Sequence, residues 1–339
     1  MTLRIHFTSE DLTRITIAQH PDPLWEVLLS LHVLQSTDAA PVFARWRRQV
    51  RSDPGTVDRR LLDLAPPYGY SPDFLTPAAA ADGLDNGIDA LRSTPRERLR
   101  KDLTELSATR PLARWTRPLG EGDRDTLDGL AQAVRDYHRA VLAPHWAHIQ
   151  GRLGADCSVR TRALLTGGSA RLLPTLHPAL CWSPPVLELR GPHVRGDLHL
   201  DGRGLRLVPS FFCWPAPTLL RDRGLAPVLV YPIAHDLRWL GEPEPRPAAG
   251  RALAALLGMR RAAVLETVAG GAGCTTGEVA RRVGISPATV SHHTSVLREA
   301  GLIGTRRVGE TVLHTATGLG VGLLNGDSCL AVGRPAGPV

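Results

Sequence analysis

The sequence of 339 residues predicts an α+β protein: a mostly helical N-terminal domain with a small antiparallel meander, followed by a smaller C-terminal domain of helices and one hairpin. Three observations predict this fold class. Apolar residues recur at helical spacing from residue 1 to about residue 180, and short apolar runs separated by Gly, Pro and Asp fill residues 184–234. A Pro-rich stretch over residues 241–250 then marks a stiff linker between two domains.

The N-terminal part shows several helix starts in order along the chain. Residues 8–11, Thr-Ser-Glu-Asp, are typical of a capped and acidic first turn. Residues 23–35 begin with Pro and repeat Leu and Val at helical spacing. Further helices are predicted to start at Pro41 and at Thr94-Pro95-Arg96-Glu97, to cover Asp123–Arg152 with an interruption at Pro144, and to cover Ala155–Leu173.

Four short apolar runs predict the strands of the meander, and Asp201–Gly204 is a plausible hairpin connection between two of them. The predicted domains are residues 1–240 (helical over 1–180, strand-rich over 184–234), a linker over 241–250, a second domain over 251–325, and a tail over 326–339 whose Gly and Pro content predicts disorder. The four strand-like runs are Val186–Leu189, Leu198–Leu200, Leu205–Val208 and Val228–Tyr231.

Two short helices joined by a tight turn are predicted in the C-terminal domain. Thr275 and Glu278 have the spacing of a capping box, which begins the first of them. Gly284 is suited to the left-handed conformation that ends a helix. Ser286 and Pro287 are suited to the cap and the first position of the second helix, which extends to about residue 299.

Further elements precede and follow this helix pair. Leu253–Leu257 and Met259–Val268 read as two helices joined at residue 258. Leu302–Val308 and Thr311–Thr315 read as strands, with a tight turn at Gly309-Glu310 between them. A hairpin directly after a helix-turn-helix is a wing, so the sequence predicts a winged helix-turn-helix over residues 251–325.

A winged helix-turn-helix presents its second helix to the major groove of double-stranded DNA, where side chains of the first turns touch base edges. Helix N-termini and wing arginines contact phosphates or the minor groove. Short hydroxyl and imidazole side chains at these positions suit hydrogen bonds with bases or phosphates. The predicted DNA-binding residues are Thr276, Ser286, Ala288, Thr289, Ser291, His292, His293, Ser295, Arg298, Arg306 and Arg307.

Charge and composition agree with a nucleic-acid partner. The formal net charge is +7, and nine arginines against five acidic residues lie between Arg251 and Val339. No run of eighteen apolar residues and no secretory signal is recognisable, so we expect no membrane span and a cytoplasmic location. The five cysteines form no CxxC pair, which argues against a disulfide framework and a Cys-only zinc site.

The helix-turn-helix resembles that of the ArsR family of regulators. Residues 284–301, GISPATVSHHTSVLREAG, are similar to that family's pattern at Val290-Ser291-His292-His293, at Leu297, and at Gly301-Leu302-Ile303. Thr294 stands where the family has a leucine. The resemblance implies a transcriptional repressor that binds an operator, usually as a homodimer on an inverted repeat.

The N-terminal domain also resembles a known type of segment. It looks like the long, poorly characterised domain that precedes such a module in some regulators of GC-rich bacteria. The residues that support this likeness are Pro144-His145-Trp146, Leu176-His177-Pro178 and Tyr231-Pro232. Dimerisation, and binding of an effector of unknown identity, are expected in this domain.

Many ArsR-type proteins sense metals, but the family's ligand positions differ here. Thr275 and Gly277 occupy the usual cysteine positions, and Cys274 is one residue off. Residues 318–324, after the wing, contain no His, Asp or Glu. We therefore predict no metal site and no cofactor. Three glycines also make 318–324 a poor helix, so we expect the homodimer contact from the N-terminal domain or from the helix near residues 251–257.

Other functions remain as alternatives. We recognise no catalytic constellation and predict a regulator that is not an enzyme. The second hypothesis is an enzyme or ligand-binding protein with an accessory DNA-binding tail. The third is a winged helix that binds a protein. His145 and His148, near Asp136 and His138, have a spacing that could bind a metal or simply be half-buried. An aromatic set could line an effector pocket or form core: Trp182, Phe211, Phe212, Trp214 and Tyr231.

Overall fold

The computed structural model describes residues 2–36, 41–53, 55–191, 195–222, 224–235, 239–240, 249–270, 273–308 and 311–325. The chain divides into an N-terminal unit, Met1–Ala39 with Trp46–His235, and a C-terminal unit, Ala40–Arg45 with Asp236–Val339. Residues 241–248 of the predicted linker (241–250) and the predicted tail over 326–339 lie outside the described residues. The last two residues of the predicted linker belong to a helix that begins at Ala249. Among the described helices, none combines the length and apolar character that crossing a bilayer requires.

The fold is α+β, as predicted, and helices make up most of the N-terminal unit. The sequence located several of them closely, because their first turns have local signals: Thr8 caps the first helix in a capping box with Asp11, and Asp22 caps the second. The helices are α1 (Ser9–Thr13), α2 (Pro23–Gln35), α3 (Ala44–Arg51), α4 (Arg59–Leu64), α5 (Leu84–Arg92), α6 (Arg96–Ser107), α7 (Thr116–Gly120), α8 (Arg124–Tyr137) and α9 (Trp146–Leu176).

Two of these helices differ in detail from the sequence pattern. The start predicted at Thr94-Pro95 lies one residue later, because Pro95 is the cap of α6 and the Thr94 hydroxyl donates to the Ala90 carbonyl instead. The predicted interruption near Pro144 is present as a π turn and a 3₁₀ turn between α8 and α9. Helix α9 is itself kinked at Gly167 and Gly168, whose backbone angles are not helical.

Among the described residues of the N-terminal unit, eight strands form two four-stranded sheets, with strand orders β3-β4-β1-β5 and β2-β6-β8-β7. In the first sheet β1 pairs antiparallel with β4 and parallel with β5, and in the second β6 pairs parallel with both β2 and β8. The strands are β1 (Thr2–His6), β2 (Ile15–Ile17), β3 (Leu180–Ser183), β4 (Val186–Arg190), β5 (Gly196–His199), β6 (Leu205–Ser210), β7 (Thr218–Leu219) and β8 (Val228–Pro232).

The expected single antiparallel meander is therefore wrong in its topology. The strand-like runs after residue 180 are strands, but they divide between two mixed sheets, and each sheet includes a strand from the first 17 residues. Strands β1 and β2 are too short to show a clear alternating pattern in the sequence. Their pairing depends on partners about two hundred positions away, which local patterns do not reveal.

The Asp201–Gly204 segment is not a hairpin, because β5 and β6, which it joins, belong to different sheets. It packs on α1 instead. The Asp11 carboxylate accepts the amide of Gly204 at 2.8 Å, and the Arg14 guanidinium donates to the Gly202 carbonyl at 2.7 Å. A Cβ at Gly204 would collide with the Arg14 carbonyl oxygen, so this turn requires glycine for the close approach.

A buried carboxylate joins α2 to the end of β6. Glu26 is fully buried, and its two oxygens accept hydrogen bonds from the Ser210 hydroxyl (3.1 Å) and from the amides of Phe211 (2.8 Å) and Phe212 (3.0 Å). Burial raises the pKa of this carboxyl to about 7, although the backbone hydrogen bonds oppose the shift.

Three members of the aromatic set, Phe211, Phe212 and Tyr231, are buried in the core of the N-terminal unit, whereas Trp182 and Trp214 are half-buried. Trp182 packs edge-on against Phe7 in the first sheet, whereas Phe211 and Phe212 pack against each other beyond the end of β6. Tyr231 is fully buried, and its hydroxyl donates to Asp156 at 2.9 Å. These rings fill space between the elements.

The histidine pair at 145 and 148 lies at the start of α9. His148 packs edge-on against a phenylalanine ring of the core, and His138 packs against Trp146. Among the described residues, no group of three His, Cys, Asp or Glu side chains has the arrangement of a metal site.

The C-terminal unit is a winged helix-turn-helix, as the sequence predicts. Its small core consists of apolar side chains from three helices and the start of the wing. Within the same unit, Trp239 Nε1 donates to the Val42 carbonyl at 2.7 Å. The elements are α10 (Ala249–Leu257), α11 (Met259–Ala269), β9 (Cys274–Thr275), α12 (Thr276–Val283), α13 (Pro287–Glu299), β10 (Ile303–Val308), β11 (Thr311–Ala316) and α14 (Gly318–Asn325). The predicted wing turn at Gly309-Glu310 lies outside the described residues.

The expectation that residues 318–324 form a poor helix is wrong, because α14 covers them. Two contacts explain how the glycine-rich segment stays helical. The Thr317 hydroxyl accepts the amide of Gly320 at 3.2 Å in the manner of an N-cap, and Leu323 and Leu324 pack against the core. Tertiary packing thus stabilises α14 although its glycines have a low helix propensity. Most of the stability of helices in proteins comes from such packing.

Candidate nucleic-acid interface

Local signals set the turn between α12 and α13. Thr275 caps α12 by accepting the Glu278 amide at 3.2 Å, and the Glu278 carboxylate accepts the Thr275 amide at 2.9 Å. Gly284 ends α12 in the left-handed conformation, and Ser286 begins α13 by accepting the Thr289 amide at 3.2 Å. The predicted capping box, turn and second cap are all present.

Helix α13 has one buried face and one exposed face. Val290, Thr294 and Leu297 are buried, so the helix packs on the core along positions separated by three and four residues. Thr294, where the ArsR pattern has leucine, satisfies its hydroxyl by donating to the Ser291 carbonyl at 3.1 Å. The opposite face consists of side chains that are exposed or half-buried: Ala288, Ser291, His292, Ser295 and Arg298.

The predicted DNA-binding residues therefore fall into groups. Ser286 and Thr289 hold the start of α13, because their hydroxyls lie 2.8 Å apart within the cap. His293 is half-buried at the border of the exposed face, and partial burial and the positive charges of Arg261 and Arg260 on α11 lower its pKa. Arg306 and Arg307 are both exposed, and because they are neighbours on β10 they lie on opposite faces of the wing.

His314 on β11 connects the wing to the start of α12. It is almost fully buried, and its two ring nitrogens lie 3.0 Å from the Thr276 hydroxyl and 3.1 Å from the Thr305 hydroxyl. Burial lowers the pKa of His314, and the nearby positive charge of Arg298 lowers it further. The neutral imidazole thus holds Thr276, a predicted phosphate contact, in a fixed position relative to the wing.

In ArsR-type proteins that sense metals, cysteines just before the turn bind the metal. In this chain Thr275, at one of those positions, and its neighbour Cys274 make contacts within the protein. Thr275 belongs to the capping box. The Cys274 thiol is buried, donates weakly to the Thr267 carbonyl, and lies 3.7 Å from a guanidinium nitrogen of Arg282. Burial raises the pKa of this thiol to about 11, so the thiolate that binds soft metals is disfavoured there.

Sequence reasoning missed three side chains close to this surface. His314 was seen only as part of a strand, and Arg260 and Arg261 only as part of a helix. Each becomes notable because another element of the unit comes close to it: α12 in the case of His314, and α13 in the case of the arginines. The proximity of side chains from separate elements leaves no pattern in the sequence.

Two family models match parts of the chain. One is described as a helix-turn-helix domain and matches residues 259–306, and the other describes a family of unknown function (DUF5937) and matches residues 98–236. The second match includes all three segments on which the N-terminal resemblance rests. No curated protein and no solved structure matches the chain. The helix-turn-helix match and the exposed polar face of α13 both favour a DNA-binding regulator.

Proposed function

We propose that this chain is a transcriptional repressor of the ArsR type that recognises an operator in double-stranded DNA. The observation that supports this most directly is the arrangement of α13. A helix that is apolar on its core side and presents Ser291, His292 and Ser295 on the other can lie in the major groove and form hydrogen bonds with base edges.

The surrounding elements suit contacts with the DNA backbone. The wing has two exposed arginines, Arg306 and Arg307, and Arg298 is exposed at the far end of α13. Thr276, held by His314, lies at the start of α12, where helix N-termini attract phosphates. Contacts of this kind fix the register of the protein on DNA without reading the sequence.

The remaining parts of the proposal concern assembly and signal. The repressor binds as a homodimer to an inverted repeat, is not an enzyme, uses no metal or cofactor, and acts in the cytoplasm, where a bacterial chromosome lies. The N-terminal unit supplies dimer contacts and the site of any small-molecule effector.

The test is genome-wide mapping of binding sites with the full chain, followed by affinity measurements on the recovered operator across a salt series. The expected result is an inverted repeat upstream of the chain's own gene or a neighbouring gene, and an affinity that falls steeply with salt. An absence of binding to any double-stranded DNA, or salt-insensitive binding, would contradict the proposal.

A matched pair of variants separates base reading from general damage. Ser291→Ala with His292→Ala should lower operator affinity by roughly tenfold or more for each base that is no longer read, with an unchanged salt dependence. The control is His20→Ala with Ser158→Ala, which removes the same two residue types from exposed positions in the N-terminal unit. Equal effects of the two pairs would mean that α13 does not read bases.

A further inference from the structure

The ion pairs of the described residues are distributed unevenly. In the N-terminal unit eleven arginines lie within 4.0 Å of a carboxylate, as Arg100 does with Glu121 and Arg160 with Asp156. Arg260 and Arg261, at the start of α11, form no ion pair with any described residue. Their positive charge is therefore not neutralised within the part of the C-terminal unit that the structure describes.

Helices α11 and α13 contribute Leu265 and Val290 to the same small core. Arg261 lies one turn before Leu265 and His293 one turn after Val290, so both side chains border the packing of these two helices. We call Arg260, Arg261 and His293 the Arg–His cluster. Partial burial lowers the pKa of His293, and the positive charges of Arg261, His292 and Arg260 lower it further. No carboxylate takes part in this balance. The charged groups that shift the pKa of His293 are therefore all cationic.

Hydrogen-bonding capacity in the cluster is also unused. Nε of Arg261 and both ring nitrogens of His293 are shielded and form no hydrogen bond with a described residue. A shielded N–H group without an acceptor is costly, and an anion bound to the Arg261 guanidinium would offset this cost. Arg260 is exposed, so a ligand can reach the guanidinium pair from solvent.

The position of the cluster indicates which anion it binds. His293 is half-buried on α13, next to the exposed Ser291 and His292, and α11, which begins with the two arginines, packs in the same core as α13. An anion bound to the cluster therefore lies at the edge of any molecule that binds to the exposed face of α13. If that occupant is duplex DNA, the group at its edge is a backbone phosphate, which a guanidinium binds with two parallel hydrogen bonds.

The geometry points to a phosphate-binding site in which Arg260 and Arg261 grip the DNA backbone beside α13, with His293 packed behind them. This inference rests on the proposed function. It also assigns His293 a role different from base reading: the imidazole is a neighbour of the phosphate site, and its charge responds when a phosphate binds.

The first test is the salt dependence of operator binding by Arg260→Ala with Arg261→Ala in the full chain. The slope of log affinity against log salt should become shallower by about 0.9 for each phosphate that is no longer bound, whereas discrimination between operator and unrelated DNA should persist. Arg260→Lys with Arg261→Lys retains the charges and should keep most of the slope. An unchanged slope in the alanine double variant, in a protein that still binds its operator, refutes the site and leaves the proposed function intact.

The matched control is Arg96→Ala with Arg100→Ala, which removes the same charge from exposed positions on α6 that pair with Glu121. Its slope should equal that of the unmodified chain. If both double variants reduce the slope equally, the effect is one of net charge alone, and the specific site is refuted.

The second test needs no DNA. The ring signals of His293, identified among the 13 histidines by their disappearance in His293→Gln, are followed by NMR over pH with and without inorganic phosphate. Phosphate should raise the pKa of His293 in the unmodified chain and leave it unchanged in the Arg260→Ala, Arg261→Ala variant, because a bound anion offsets the arginine charges. No shift in the unmodified chain contradicts the site even if the chain binds no DNA at all.

Discussion

Buried or half-buried carboxylates stabilise both units of this molecule, but over very different distances along the chain. In the C-terminal unit, Glu278 accepts the amide of Thr275, three residues earlier. In the N-terminal unit, Glu26 accepts hydrogen bonds from Ser210, Phe211 and Phe212, which lie 184 to 186 positions later. The first contact forms within one turn of helix, whereas the second requires that the two ends of the unit have already met.

This difference explains which region was easy to interpret from sequence. Capping boxes, helix-ending glycines and tight turns are local, so a few neighbouring residues specify them. Sheet pairing and buried polar clamps depend on partners far away in the sequence, and a local pattern contains no information on the partner. We therefore expect long-range contacts to dominate the stability of the N-terminal unit and local ones that of the C-terminal unit.

The largest effect is expected for Glu26→Ala. This change leaves the Ser210 hydroxyl and two amides without their acceptor in a fully buried site, and each such group costs about 1–3 kcal/mol. At pH 4.5, below which the contribution of Glu26 to stability is complete, we expect the free energy of unfolding of the N-terminal unit to fall by about 3 kcal/mol or more. Urea unfolding followed by tryptophan fluorescence measures it, because six of the seven tryptophans lie in that unit.

The control for this prediction is Glu278→Ala in the C-terminal unit. It removes a carboxylate that caps a helix and is only half-buried. It should leave the fluorescence transition unchanged. Loss of a helix cap usually costs about 1 kcal/mol. If Glu26→Ala costs no more than this, the long-range hydrogen bonds of Glu26 contribute no more to stability than a local cap does.

The burial of Glu26 can also be tested by comparing the stability of Glu26→Gln with that of the unmodified chain as a function of pH. Burial raises the pKa of Glu26 to about 7 in the folded chain, against an ordinary value of 4.5. Between these two values the unfolded chain releases its proton first, so the contribution of Glu26 to stability is complete below pH 4.5 and is lost as pH rises through 7. The stability of Glu26→Gln relative to the unmodified chain should therefore increase over this window by about 3 kcal/mol.

The measurement is urea unfolding of both proteins at intervals between pH 4 and pH 8. Subtracting one curve from the other removes the contributions of groups that both chains share, such as Asp22, whose pKa burial raises to about 6. Parallel stability curves for the two proteins would show that Glu26 titrates normally and is not desolvated.

Gly204 and Gly284 allow the cost of backbone strain alone to be compared with the cost of backbone strain plus a steric collision. Gly204 and Gly284 have almost the same left-handed backbone, with φ of +73° and +72°. An added Cβ at Gly284 meets nothing within 4 Å, so Gly284→Ala should cost only the backbone strain, about 1–2 kcal/mol. Gly204→Ala adds a collision with the Arg14 carbonyl and should cost clearly more.

Hydrogen exchange measured by mass spectrometry resolves the two units separately and so measures both variants by one method. Faster exchange should spread from residue 204 through α1 and β6 in Gly204→Ala, and remain within the C-terminal unit in Gly284→Ala. Equal reductions in protection would show that the loop at residue 204 moves away from Arg14 at little cost.

Much of the interface was predictable because its geometry is local. The buried positions of α13 follow from a repeat of three and four residues, and the exposed face follows by exclusion. The role of His293 was not predictable, since its surroundings are set by α11 across the unit. The same holds for His314, whose partners Thr276 and Thr305 come from two other elements.

The predictable part of the N-terminal unit was its helices, and the unpredictable part was its sheets. Residues 23–35 were recognised as a helix from Pro23 and the apolar repeat, and α2 has these bounds. The turn at Asp201–Gly204 was misread because its Gly and Asp content suits a hairpin equally well. The structure differs from a hairpin because β5 and β6 belong to different sheets and because the Gly204 amide donates to Asp11 of α1.

The smallest expected differences come from the two Thr capping boxes, Thr8 with Asp11 in α1 and Thr275 with Glu278 in α12. Replacing either threonine with alanine should cost about 1 kcal/mol, since each variant lacks the same cap. The carboxylates should differ. Glu278→Ala removes only a local acceptor, whereas Asp11→Ala also removes the acceptor of the Gly204 amide and should cost about 1 kcal/mol more. Hydrogen exchange of the α1 and α12 peptides measures the effects of Asp11→Ala and Glu278→Ala. Equal destabilisation by these two variants would mean that the hydrogen bond between Asp11 and Gly204 adds no stability beyond the cap.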